Sequence, residues 1–152
     1  MKDVHLQHFS KTEFREWWGK MSPRLLVLLD ILRYKLKSPI QISRHPKSLG
    51  RHLGDKSHSE HNIDFWLQVL AVDCFVTNVF TRNEAAHVVY TAHGIGFTGI
   101  GVYPDWINGR GDKQVGFHLG VRPTINMGNP AEWGYVDTKQ VALEVALREV
   151  GR

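Results

Sequence analysis

A single carboxylate interrupts an apolar run. Residues 69–76 read Val-Leu-Ala-Val-Asp-Cys-Phe-Val, and Asp73 is the one polar residue among them. The run has the length of a central β-strand. A charged group in the middle of such a strand is costly to bury unless a cation, backbone donors or a metal ion meets it. Either Asp73 faces water from a strand end, or something in the fold is built to receive it.

A second segment suggests a receiver. Residues 114–122 read as another strand, in which His118 shares a face with Gly116 and Gly120, while Phe117, Leu119 and Val121 share the other. Glycines on both sides of a histidine leave room for a ligand or substrate to approach the strand. Between Ile42 and the Asp73 strand lies a stretch rich in His, Lys, Ser and Gly, residues 44–64. Long loops inside compact domains are usually functional. This one carries His58 and His61, either of which can reach an ion held by Asp73. Two histidines and one carboxylate, with a position left for water, make a common catalytic zinc set.

The remaining pattern gives an α+β domain. Ser10-Lys11-Thr12-Glu13 is a capping box before a helix carrying Phe14, Trp17 and Trp18. Ser22-Pro23 opens a second helix, with Leu25, Leu28, Leu29 and Leu32 on one face, and Pro39 closes it. Residues 40–43 alternate as a short strand. Thr81-Arg82-Asn83-Glu84 caps a third helix, expected to end at Gly94. Residues 96–103 read as a Gly-rich strand, 104–113 as a polar turn and 133–136 as a strand. Asp137-Thr138-Lys139-Gln140 is expected to cap a C-terminal helix over 137–150. Helices first, then strands with one helix between them, predict a small antiparallel sheet flanked by helices.

At 152 residues the chain is long enough for one core, and 1–152 is expected to form a single domain. The net charge of +4 favours an anionic partner, although the basic residues are scattered. One cysteine, Cys74, excludes an internal disulfide and a Cys-based zinc cluster; it reads as a core residue. No apolar run reaches membrane-spanning length. The start, Met1-Lys2-Asp3-Val4-His5, lacks the apolar core of a signal peptide, so synthesis in the cytoplasm is expected.

The motifs, in order, are Ser59-x-His61, Ala71-Val72-Asp73, Gly99-Ile100-Gly101-Val102-Tyr103-Pro104, Gly116-Phe117-His118 and Trp133. This order resembles the zinc D-Ala-D-Ala carboxypeptidase family, with its murein endopeptidase and phage endolysin relatives, over roughly residues 40–136. The resemblance implies the Hedgehog/DD-peptidase fold and Zn2+ held by His61, Asp73 and His118. It implies Ser59 beside the ligand loop and Arg44 as a substrate-binding arginine. Arg122 and Tyr103 are further substrate-binding candidates, and Trp106 another lining aromatic. The implied substrate is the peptide of bacterial peptidoglycan, cut by a phage lysis or virion enzyme that acts on the wall after release.

Two departures stand out. The gap between His61 and Asp73 is 11 residues, longer than is usual, so residues 62–70 with Phe65 and Trp66 read as an insertion. The family's general base is absent: the position three before His118 is Val115, and the position two after it is Gly120. Asp112 is the first stand-in, with Glu60 and His58 as others. A non-catalytic zinc-containing binding module of the same fold is the alternative. A magnesium nuclease ranks below both, since the chain has neither an acidic cluster nor a concentrated basic stripe, and no nucleic-acid partner is expected.

Overall fold

The computed structural model describes residues 4–152; the first three residues of the expected cytoplasmic start lie outside them. A 3-10 segment, Lys11–Lys20, is followed by α1 (Pro23–Leu36), β1 (Ile40–Ile42), α2 (Ile63–Trp66) and β2 (Ala71–Val76). Then come α3 (Arg82–Ile95), β3 (Gly99–Ile107), β4 (Lys113–Gly120), β5 (Ala131–Val136), β6 (Lys139–Val141) and α4 (Leu143–Glu149). The fold is α+β.

Local signals fix most boundaries. Glu13 accepts a hydrogen bond from the Ser10 N–H at 2.9 Å, closing the expected box. The chain there bends at Arg15, whose φ of 52° breaks the expected helix into two short turns. Ser22 caps α1 with Pro23 at its first position. Thr81 and Glu84 cap α3 reciprocally. That helix ends two residues later than expected, because Gly96 (φ 111°) rather than Gly94 adopts the left-handed conformation.

The sheet runs β1-β2-β4-β3-β5-β6. It is mixed rather than purely antiparallel: β3 and β5 are parallel, with Gly101 beside Trp133. The segment leaving β4 crosses the start of β3 before β5 begins, so β5 must run in the direction of β3. The expected turn over 104–113 is shorter than read, since β3 continues through Ile107 and pairs with Lys113.

The C-terminal expectation fails in an instructive way. Asp137 (φ 48°) and Thr138 (φ 65°) are both left-handed and join β5 to β6 as a two-residue hairpin, with Val136 opposite Lys139. Two successive positive φ values are what a tight hairpin demands. The Asp-Thr pair therefore turns a strand, and the helix starts only at Leu143.

α3 and α4 pack on one side of the sheet, and α1 packs on α3. That side is apolar: Val72, Cys74, Ile100, Val102, Phe117 and Leu119 are buried in one cluster with the helices. Burial pushes the Cys74 thiol up, which keeps it protonated and unreactive. The opposite side carries Asp73, His118 and Trp133. Among the described residues no helix is long and apolar enough to cross a membrane.

At Gly134 the helix layer touches the sheet. A Cβ there would overlap the Ala146 methyl of α4 and stand 3.2 Å from the Val102 carbonyl oxygen. Gly134→Ala is therefore expected to cost about 1–3 kcal/mol of stability, the usual range for overpacking. Urea denaturation measures it, and because Gly134 faces away from His118, the variant should keep its metal affinity.

Candidate metal centre

Cross-strand register creates the first contact of the site. Asp73 on β2 lies directly opposite His118 on β4, and Gly101 of β3 flanks His118 on its other side. Residues opposite each other in a sheet point to the same face. The Asp73 Oδ1 atom is 3.1 Å from His118 Nδ1.

His61 arrives from the loop. The Arg51 N–H donates to the His61 carbonyl at 2.8 Å, the Ile63 N–H donates to the Arg51 carbonyl, and the Leu70 N–H donates to the Glu60 carbonyl. These bonds stitch the loop to itself and to the start of β2. His61 Nε2 stands 3.3 Å from Asp73 Oδ1 and 3.3 Å from His118 Nδ1. The three donor atoms form a nearly equilateral triangle, and all three residues are buried. Donors bonded at about 2.0 Å to one tetrahedral ion lie about 3.3 Å apart. The triangle has the size of one face of such a tetrahedron, so His61, Asp73 and His118 fit a metal ion.

The outer nitrogens support this. His61 Nδ1 is 2.5 Å from the Leu49 carbonyl oxygen, which can only accept, so Nδ1 carries the proton and Nε2 keeps its lone pair. His118 Nε2 lies 2.6 Å from Glu60 Oε2, so that nitrogen donates and Nδ1 faces Asp73 and His61. Histidine ligands held by a carbonyl and by a carboxylate in this way are the usual supporting arrangement of a metal centre.

Glu60 occupies the room left by two glycines. A Cβ on Gly99 would stand 2.8 Å from Glu60 Oε1, and one on Gly120 would collide with Oε2. The Trp106 ring fills the space over Gly116 in the same way. The gap read beside His118 as space for a ligand is thus filled by the chain's own side chains. Gly120 is also where the resembled family can carry an acid, and here the Glu60 carboxylate stands where a side chain at 120 would begin. It faces the outer nitrogen of His118 and so orients that imidazole.

Other site expectations divide. Asp112 lies in the β3–β4 turn, where its N–H donates to Asn108 Oδ1. It is six residues from His118, about 20 Å along an extended strand, and it is no part of the centre. Arg44 is exposed and rests against Gly109. The arginine at the metal site is Arg51, whose Nη2 is 3.5 Å from Asp73 Oδ2. Arg122 points away: its guanidinium donates to the His58 carbonyl at 2.8 Å, pairs with Glu60 at 3.5 Å and lies over Trp66. His58 packs against Phe65 with the rings tilted. Ser59 accepts from the His61 N–H at 3.4 Å, and its carbonyl accepts from Trp66 Nε1, so it shapes the loop. Tyr103 stacks on Trp106 at 4.0 Å; burial and the nearby Asp73 charge push its phenol up to about 12. Trp133 packs on the His118 ring at 5.0 Å.

Beside Asp73 opens a cavity of about 340 Å³, lined by Ser43, His45, Lys47, Arg51, Phe75 and Trp106 among others. Sequence reading passed over Arg51, His45 and Lys47, which sit unremarkably in a polar loop. Their signal was membership of the segment that carries His61. No family model, curated protein or solved structure matches the chain.

Metal-free, His118 is a cation. Burial alone would lower its pKa, but hydrogen bonds to Asp73 and Glu60, and their charges, push it up to about 9. Burial likewise opposes ionisation of Asp73, yet the two histidines hold its carboxyl far below the carboxylate range. An ion must therefore displace a proton from His118 at any pH below about 9. Metal affinity is expected to fall about tenfold per pH unit as pH drops through 8 to 6, measurable by chelator competition. Glu60→Ala should weaken affinity at pH 7 by about 10–100-fold. Chelation should lower the unfolding temperature, with recovery when the ion returns.

Proposed function

We propose that this chain is a zinc peptidase acting on the peptides of bacterial peptidoglycan, as phage lysis and virion enzymes do. The observation that carries the proposal is the His61, Asp73 and His118 triangle at the wall of an open cavity. Two nitrogens and one carboxylate oxygen suit zinc. The order of motifs around them, from Ser59-x-His61 to Trp133, supports the DD-peptidase reading. So does an α+β sheet with helices on one side and the site on the other.

Zinc with three protein ligands and an open position makes water a nucleophile near neutral pH and polarises a carbonyl. The chain's own groups do the rest. Leu49 and Glu60 hold the two imidazoles in the ligating tautomer. Arg51 presents guanidinium donors beside Asp73, where a peptide carbonyl or carboxylate can be received. His45 and Lys47 add basic groups to the same wall. Phe75 and Trp106 give the cavity an apolar floor and exclude water from one side of the bound chain.

A second reading is favoured by one observation. Among the described residues Asp73, a candidate ligand, is the only carboxylate lining the cavity, and Glu60 is committed to His118. A metal-stabilised binding module of the same fold would look like this.

Amino-group release from purified peptidoglycan separates the two. The zinc-loaded protein is expected to generate new amino groups, and His118→Ala, checked for folding by circular dichroism, to reduce release to the buffer level. A protein that holds zinc, binds muropeptides and cuts none of them is the binding module. A protein with no affinity for zinc is neither.

A further inference from the structure

The metal-bearing face of the sheet continues well beyond the metal. Along β2, Asp73 belongs to the metal triangle, and Phe75 lines the cavity beside it. Thr77, one residue past the strand, lines a separate polar cavity of about 260 Å³. Along β4, His118, Gly116 and Gln114 follow the same alternation, and Gln114 lines that second cavity. Gln41 of β1 lies opposite Phe75 and completes the row. His118 and Gln114 are four residues apart, about 13 Å along an extended strand. The face thus presents a metal row, an aromatic step of Phe75 and Trp106, and then a polar basin.

Two arginines line the basin, Arg44 and Arg110. Among the described residues the arginines in ion pairs are Arg33, Arg51, Arg82, Arg122 and Arg152. Arg44 and Arg110 are in none. Asp112 shares the turn with Arg110, and the Asp112 and Arg110 backbone N–H groups both donate to Asn108 Oδ1, at 3.0 and 2.8 Å. Asn108 Nδ2 donates to Gln114 Oε1 at 3.0 Å, which fixes both amides, and both residues line the same cavity as the arginines. Gly109 leaves room for the Arg44 stem, since a Cβ there would come within 3.3 Å of Arg44 Cδ. Two arginines without acidic partners among the described residues, beside two fixed amides in one cavity, suit a planar anion.

We propose that Arg44 and Arg110 form a second subsite of the same groove, which takes a side-chain or terminal carboxylate of an acidic peptide bound across the Phe75–Trp106 step. The separation of about 13 Å corresponds to roughly four residues of extended peptide. The groove is therefore built for a chain running away from the metal rather than for a dipeptide alone. The natural substrate rests on the peptidase reading; the carboxylate subsite does not.

The probes are tetraglutamate and tetraglutamine peptides, titrated calorimetrically into the zinc-loaded full chain, with a single-stranded DNA oligomer as a third ligand. Tetraglutamate is expected to bind at least about fivefold more tightly than tetraglutamine and to weaken with added salt. The Arg44→Gln, Arg110→Gln double variant should erase that preference while keeping its zinc affinity. Amide resonances of Gly109, Gly111 and Gln114 should shift on binding. Equal affinity for the two peptides, a preference unchanged in the double variant, or DNA binding more tightly through the same two arginines overturns the subsite. If peptidoglycan is not cut but the arginine-dependent preference persists, the peptidase reading falls and the subsite stands. If peptidoglycan is cut and the preference is absent, the reverse holds.

Discussion

A buried carboxylate faces a buried histidine across two neighbouring strands, and the structure around Asp73 and His118 is arranged to make that tolerable. Either group alone would carry a heavy desolvation cost in this position. Together they neutralise one another, and each has further partners: Arg51 at the outer oxygen of Asp73, Glu60 at the outer nitrogen of His118. Glu60 is itself buried and is balanced in turn by Arg122. Charge alternates outward from the centre until it reaches solvent. An ion held among His61, Asp73 and His118 would displace a proton from His118.

The loop that delivers His61 is ordered by backbone bonds more than by a core of its own. Arg51 and Asn62 pair as an isolated bridge, and the Asn62 side chain ties the carbonyls of Gly54 and Ser57 together. The segment read as an insertion holds the short helix α2, whose Trp66 bonds back to the Ser59 carbonyl. Its aromatics brace the loop from behind and do not line the cavity. The long gap between His61 and Asp73 is thus taken up by structure that fixes the histidine, and the ligand triangle keeps its size.

Much of this was legible in the chain. Asp73 in an apolar run demanded a partner, and alternation around His118 put that histidine on one face with two glycines. Caps at Ser22 and Thr81 gave two helix starts, because capping depends on residues within one turn. Asp137-Thr138 misled for the same reason: a short polar cluster can cap a helix or turn a hairpin, and only the pairing of β5 with β6 selects between them. The glycines at 116 and 120 were read as room for a ligand. Whether such room is filled depends on residues far along the chain, here Glu60 and Trp106.

Sequence by itself determined the α+β composition, the strands that bear Asp73 and His118, and a His-rich loop able to supply the third ligand. These follow from periodicity and from the cost of burying charge, which act locally. Tertiary structure alone decided which histidine closes the triangle, that Glu60 meets the outer nitrogen of His118, and that Arg51 rather than Arg44 stands beside Asp73. It also decided that Arg44 and Arg110 share a basin on the face that carries Asp73 and His118. Each of these is a matter of angstroms between segments distant in sequence, set by strand register and loop closure, which no single stretch of residues encodes.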